Sequence, residues 1–121
     1  MTADARQRAE REGRRAEFIA GLYLRLLGFS IVTERARTPS GEIDLVARRG
    51  PLLVFAEVKR RASLDEAVLA VTPAARARIE NAVKSWLSRH PHLAGSMIRY
   101  DIIALAGWRL RHLRDAWRDR R

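Results

Sequence analysis

The run Leu52-Leu53-Val54-Phe55-Ala56 constrains the fold more than any other segment. It is apolar at odd and even positions alike, so as a strand it buries both of its faces. Such a strand lies inside a sheet that is covered on both sides. The run then passes into Glu57-Val58-Lys59-Arg60-Arg61. Charges entering a buried strand are costly unless they are paired or put to use.

Glu42 to Arg48 and Leu53 to Arg60 read as a hairpin around Arg49-Gly50-Pro51. Side chains alternate along a strand, so Glu57 and Lys59 point to one side, roughly 7 Å apart. With a loop from Arg49 to Leu52, Arg48 faces Leu53 and Asp44 faces Glu57, their Cβ atoms about 5 Å apart. Two carboxylates that close repel unless a cation lies between them. A hard ion such as Mg²⁺ takes oxygen ligands from one or two carboxylates, waters and a substrate phosphate. Lys59 beside that ion would orient or deprotonate an attacking water, or stabilise a pentavalent phosphate. It is one of two lysines among 24 cations, and a compact, titratable amine is not interchangeable with a guanidinium. An exposed Glu-Lys pair with Asp44 at a sheet edge gives the same spacing. Two features favour a built site: the apolar Ile43, Leu45, Leu53, Val54, Phe55 and Val58 around the charges, and Gly41 just before the strand.

The remaining elements follow from periodicity and caps. Ala5 to Leu27 reads as a helix with apolar positions Ala16, Ile19, Ala20, Tyr23, Leu26 and Leu27. Gly28 stands where a C-terminal cap belongs, and the Arg/Glu-rich first half is open to fraying. Phe29 to Arg35 reads as a strand, Arg37 to Gly41 as a loop, and Ala62 to Val71 as a loop with one helical turn. Thr72-Pro73 starts a helix whose apolar face is Ala75, Ile79, Ala82, Val83 and Trp86, and His90-Pro91 ends it. Met97 to Leu105 is a strand, Trp108 to Leu113 a short last one, and the tail from Arg114 reads as loose. The order helix, three strands, helix, one or two strands predicts an α/β fold with a mixed central sheet flanked by helices, as one domain over residues 1–121.

Composition narrows the function classes. The 121 residues are 47% apolar, which fits a globular chain. Lys+Arg 24 against Asp+Glu 14 gives a net charge of +10. That balance points to a polyanionic partner such as nucleic acid, although an Arg-favouring genome produces it too. The absence of cysteine removes disulfides, thiolate zinc sites and thiol nucleophiles, and fits a cytoplasmic location. No apolar h-region or roughly 20-residue apolar span suggests secretion or a membrane partner.

Gly41-Glu42-Ile43-Asp44-Leu45-Val46 followed by Val54-Phe55-Ala56-Glu57-Val58-Lys59-Arg60-Arg61 resembles the PD-(D/E)xK nuclease motif, with Ile43 where that motif carries proline. Over nearly the whole chain, to the Arg99-Tyr100-Asp101-Ile102 segment, the sequence is similar to the YraN family. These are uncharacterised bacterial relatives of archaeal Holliday-junction resolvases. The resemblance implies a restriction-endonuclease-like fold and a magnesium-dependent phosphodiesterase site, with Mn²⁺ able to substitute. It implies DNA as substrate, including branched or repair-related DNA, and pairing as a homodimer. It assigns Asp44 and Glu57 to the metal and Lys59 to catalysis. Glu17 matches the acid that such nucleases add from the first helix. On a helical wheel it lies among Gly13, Ala20, Gly21, Leu24 and Gly28, small enough to approach the sheet; a surface pairing with Arg14 or Arg25 is the alternative. Arg60, Arg61 and either Arg76 or Arg78 are the candidates for phosphate contact.

Other residues read as structural. Asp101 shares a strand face with Arg99 and is read as its ion-pair partner. His90, His92 and His112 show no ligand spacing and are read as surface residues. Trp86 falls on an apolar helix face; Trp108 and Trp117 suit packing or base stacking. Ser40 is a turn former. No glycine-rich phosphate loop is present. The basic first helix half and the Arg118 to Arg121 tail suit phosphate contacts. The leading expectation is a metal-dependent DNA endonuclease. Two alternatives stay open: a non-cutting nucleic-acid-binding module on the same fold, and a basic protein-interaction module.

Overall fold

The computed structural model describes residues 2–119. Its elements are α1 (Ala3–Leu26), β1 (Ser30–Thr38), β2 (Gly41–Arg49), β3 (Leu52–Arg60), α2 (Leu64–Leu69), α3 (Pro73–Ser88), β4 (Met97–Ala106) and β5 (Arg109–Trp117), with a 3-10 turn at Pro91–Leu93 before β4. The five strands form one sheet in sequence order. Only β3 and β4 run parallel; the other neighbours are antiparallel. A parallel pair needs a crossover, and α2 and α3 supply it.

As its composition requires, β3 is central and buried almost end to end. Its Leu53 and Phe55 join Ile79, Val83 and Trp86 of α3 on one face. Val54, Ala56 and Val58 meet Ala16, Ala20 and Leu24 of α1 on the other. Burying a side chain the size of Phe55 or Leu24 contributes about 1.5–3 kcal/mol. The helix α1 buries Ala16, Ala20, Gly21 and Leu24, whereas Ile19 and Leu26, expected on its apolar face, are exposed. Small side chains let this helix lie close to the sheet, and the larger apolar residues turn outward.

Caps set the helix ends. The Thr2 hydroxyl accepts from the Ala5 N–H, and the Arg/Glu-rich half of α1 is continuous helix. At its other end Gly28 takes φ +90°. The Gly28 and Phe29 N–H groups donate to the Arg25 and Leu24 carbonyls, a Schellman closure that favours glycine. The Thr72 hydroxyl caps α3 ahead of Pro73, and the Ser63 hydroxyl caps the six-residue α2 within the segment read as a loop with one helical turn.

Several boundaries differ from expectation. The loop expected over Arg37 to Gly41 shrinks to Pro39-Ser40, because Arg37 and Thr38 pair with Glu42 and Gly41. The Thr38 hydroxyl closes that turn by donating to the Gly41 carbonyl at 2.8 Å. The β2–β3 register has Arg48 opposite Leu53, as expected, and Arg49 opposite Leu52, leaving Gly50-Pro51 as the turn. The tail read as loose from Arg114 is strand to Trp117, which pairs with Tyr100 and stacks on its ring at 5.0 Å. Trp108 falls in the β4–β5 turn and is 98% exposed. Arg120 and Arg121 of the tail lie outside the described residues. No helix among the described residues is long and apolar enough to cross a membrane.

Candidate active site

The charged end of β3 forms the site. Glu57 and Lys59 share a strand face, and Lys59 Nζ lies 3.5 Å from Glu57 Oε1. Asp44 reaches the same place by an irregularity in β2. Ile43 packs in the α3-side core and Leu45 in the α1-side core, so side-chain alternation breaks at Asp44 between them. The β2–β3 pairing runs only to Leu45 opposite Ala56. Beyond it the Val58 N–H donates to Asp44 Oδ2 at 2.8 Å. The carboxylate thus satisfies a backbone donor that the ladder leaves open. The expected opposition of Asp44 and Glu57 is therefore a meeting of side chains rather than a ladder pair. Gly41 takes φ +142° at the start of β2, and a Cβ there would come within 3.9 Å of Ala82 Cβ and the Arg78 carbonyl under α3.

The electrostatics are those of a carboxylate pair without enough positive charge. Burial pushes the Glu57 carboxyl up to about 9, and the neighbouring Asp44 adds to the rise, while Lys59 offsets part of it. At neutral pH Glu57 holds a proton unless more positive charge arrives. Burial also raises the Glu17 carboxyl; a hydrogen bond from Arg35 opposes this, and Asp44 and Glu42 add to the rise.

Two cavities meet at this point. One, of about 290 Å³ on the α1 side, is bordered by Glu17, Asp44, Lys59, Arg60 and Arg61. The other, of about 190 Å³ on the α3 side, is bordered by Gly41, Asp44, Glu57, Lys59 and Arg78. Asp44 and Lys59 border both. Glu17, held to Arg35 rather than to Arg14 or Arg25, thus faces Asp44 across one cavity, and Arg78 approaches from the other side. Arg76 is elsewhere: its Nε donates to the Val71 carbonyl at 3.2 Å and its Cζ lies 5.3 Å from the Trp117 ring centroid. A larger cavity, about 590 Å³, opens at the opposite end of β3 and β4 beside Leu52, Met97 and Trp117, away from Asp44 and Glu57.

A divalent cation fits the donor set at Asp44 and Glu57. Asp44 lies close enough to oppose the ionisation of Glu57, which is the condition a hard cation relieves. Among the described residues no group of three or more acids, histidines or cysteines is already gathered around one point. The rest of a coordination shell would come from water and phosphate, as is usual for Mg²⁺.

Two features escaped sequence reasoning. Arg35, which has φ +49° on β1, holds Glu17; nothing local distinguishes it from the chain's other arginines. His112, read as a surface residue, has a side chain only 4% exposed. Its Nε2 meets Asp101 Oδ2 at 2.6 Å and its Nδ1 meets the Tyr23 hydroxyl at 2.9 Å. Asp101 also accepts two bonds from Arg99, at 2.8 and 2.7 Å, so the expected Arg99–Asp101 pair forms the centre of a larger network. The pairing of β5 with β4 turns His112 inward, and that contact is invisible in the local pattern. His90 is half-buried and stacks on Trp86, which is core as expected; His92 is exposed.

A mixed five-stranded sheet with helices on both faces, and an acidic pair with a lysine at the end of its central strand, define an α/β protein of the restriction-endonuclease-like class. Residues 16–105 match the Uncharacterised protein family UPF0102, the YraN family, and the chain belongs to it. It is 48% identical over 119 residues to a UPF0102 protein of Paramagnetospirillum magneticum, covering 94% of this chain and 92% of that one. A UPF0102 protein of Rhizobium meliloti is 49% identical over 111 residues, 91% of each chain. One from Chelativorans sp. is 50% identical over 101 residues, 84% of this chain and 82% of its own.

Proposed function

We propose that this protein is a cytoplasmic, Mg²⁺-dependent endonuclease acting on DNA phosphodiester bonds, with branched or repair-related DNA as its substrate class. The observation that carries the reading is the convergence of Asp44, Glu57 and Lys59 on one cleft, with Glu57 pushed up to about 9 by burial and by Asp44. A divalent ion held there by Asp44 and Glu57, with Mn²⁺ as a substitute, would neutralise the two carboxylates and polarise a phosphate oxygen. Lys59 orients the attacking water and stabilises the negative charge on the phosphoryl oxygens as water adds and the bridging P–O bond breaks, the water's proton passing to solvent and the leaving oxygen taking one up to end as a hydroxyl. Glu17 closes the cleft from α1. Arg60 and Arg61 beside one cavity and Arg78 beside the other grip flanking phosphates; Arg76 belongs to the same candidate set at a more distant place. Pairing as a homodimer is part of this reading through the family resemblance.

One observation favours a second reading, a module that binds nucleic acid without cutting it. Among the described residues no three acids are gathered around one point. Cleavage of single-stranded, duplex, flap and four-way DNA with Mg²⁺ or Mn²⁺ decides between them. We expect Lys59→Ala and Glu57→Ala to lower cutting about 100-fold or more while preserving the fold. Metal-stimulated cutting that survives both substitutions removes these residues from the chemistry. Salt-sensitive binding with no cutting by any form leaves the binding module, and no binding at low salt points to an acidic protein partner.

A further inference from the structure

The first helix and the edge strand β1 meet at one ion pair whose position bears on the cleft. Arg35 Nε donates to Glu17 Oε1 at 2.6 Å, with side chains 33% and 16% exposed. The bond engages Oε1 alone. Glu17 stands between two cavities: the one it shares with Asp44 and Lys59, and another of about 340 Å³ bordered by Arg14, Phe18, Glu34 and Arg35. Arg35 borders the second, and its Nε engages only Oε1 of Glu17.

The backbone is distorted to place this guanidinium. Arg35 has φ +49°, a left-handed conformation that residues other than glycine rarely adopt. The β1–β2 pairs on either side are Glu34 with Leu45 and Ala36 with Ile43, so Arg35 neighbours Asp44 where β2 is also irregular. A surface ion pair contributes little on its own, so this one is read for where it holds Glu17. Glu17 borders the cavity that Asp44 and Lys59 also border. The Arg35 guanidinium, bonded to Oε1 alone, fixes the direction in which that carboxyl points.

We propose that Arg35 is a positioning residue, holding the Glu17 carboxylate at the wall of the cleft as a third acidic group for a divalent cation. The inference rests on the metal-centred reading of Asp44 and Glu57 and extends it to a residue that touches neither. Arg35 itself contacts no substrate.

The test is Mn²⁺ titration of the metal-free protein by electron paramagnetic resonance and calorimetry, with thermal unfolding of each metal-free variant recorded alongside. Asp44→Asn tests the underlying reading and is expected to abolish binding. Arg35→Gly removes the guanidinium while tolerating the positive φ, so its fold is retained. It is expected to weaken Mn²⁺ binding about 10–100-fold, the usual effect of losing a group that orients a ligand. Arg35→Lys, which keeps the charge, is expected to recover part of that loss. In a Glu17→Gln background, Arg35→Gly is expected to change nothing further. If Asp44→Asn abolishes binding while Arg35→Gly binds as wild type, or more tightly, the role given to Arg35 is wrong and the metal site stands. If Asp44→Asn leaves Mn²⁺ affinity unchanged, the metal-centred reading falls and this inference with it.

Discussion

Glu57 is the residue at which folding and function conflict. The fold places its carboxyl in a buried strand beside Asp44, and its pKa rises to about 9. In the unfolded chain it returns to its ordinary value of about 4.3. A raised folded value means that the native state binds the proton more tightly. Its stabilising effect is therefore full below the unfolded value and is lost as pH rises through about 9. We expect the melting temperature of the metal-free protein, followed by circular dichroism, to fall between pH 5 and 9 in about that window. Glu57→Gln should remove most of the fall and stabilise the metal-free protein at pH 8 by about 1–3 kcal/mol. A wild-type melting temperature flat across that range would contradict this account of Glu57. Glu57 and Lys59 were legible as one strand face because alternation is a local rule, and the short hairpin brought Asp44 near them even though alternation breaks at Asp44. Arg35 was not, because a positive φ at a non-glycine residue and a contact made across 18 positions leave no local pattern.

Among the elements, the β4–β5 pair depends most on a single side chain. Asp101 is fully buried where the β4–β5 register shifts. It accepts from His112, from Arg99 and from the backbone N–H of Asp115, whose φ is +52°. Burial alone would raise its carboxyl, but these donors outweigh burial and hold it below the ordinary aspartate value. A depressed folded pKa gives stability that is present above the unfolded value, about 3.9, and is lost as pH falls through the lower folded one. Acid below about pH 4 should therefore loosen β5 and the Tyr23 contact to α1. Asp101→Asn is expected to cost about 2–4 kcal/mol in urea unfolding at pH 7, because it leaves the half-buried Arg99 without its counter-charge and weakens the bonds from His112 and the Asp115 N–H. A loss under about 0.5 kcal/mol, the range of ordinary surface changes, would show that the network is dispensable. The same network explains why the end of β5 was missed. Arg114 to Trp117 is polar and irregular by itself, and its order comes from Tyr100 and Asp101 on the neighbouring strand. Elements with local caps, such as α3 behind Thr72-Pro73, were placed closely from sequence, and so was the hairpin register.

At the scale of the molecule, a net charge of +10 has meaning only through where the cations stand. Arg60, Arg61 and Arg78 flank the cleft, whereas the Arg76 guanidinium is taken up by the Val71 carbonyl and the Trp117 ring. For DNA binding measured across salt concentrations, each lost phosphate contact lowers the slope of log affinity against log salt by about 1. Arg78→Ala should show that change and Arg76→Ala should not. Equal slopes for the two variants would mean that the backbone path is not the one drawn here. The layout of helices and mixed sheet was readable from the doubly apolar β3, because a strand with two dry faces demands two covering layers. The close seat of α1 was less readable, since its outward Phe18 and Leu22 obscure the inward face of Ala16, Ala20 and Leu24.

The hydrogen bond from the Val58 N–H to Asp44 gives this molecule a reporter of its own. A backbone amide that donates to a carboxylate oxygen senses the charge on that oxygen directly. The Val58 resonance in a nitrogen–proton spectrum therefore reads the occupancy and charge of the cleft without substrate or turnover, and it does so in every variant that keeps the fold.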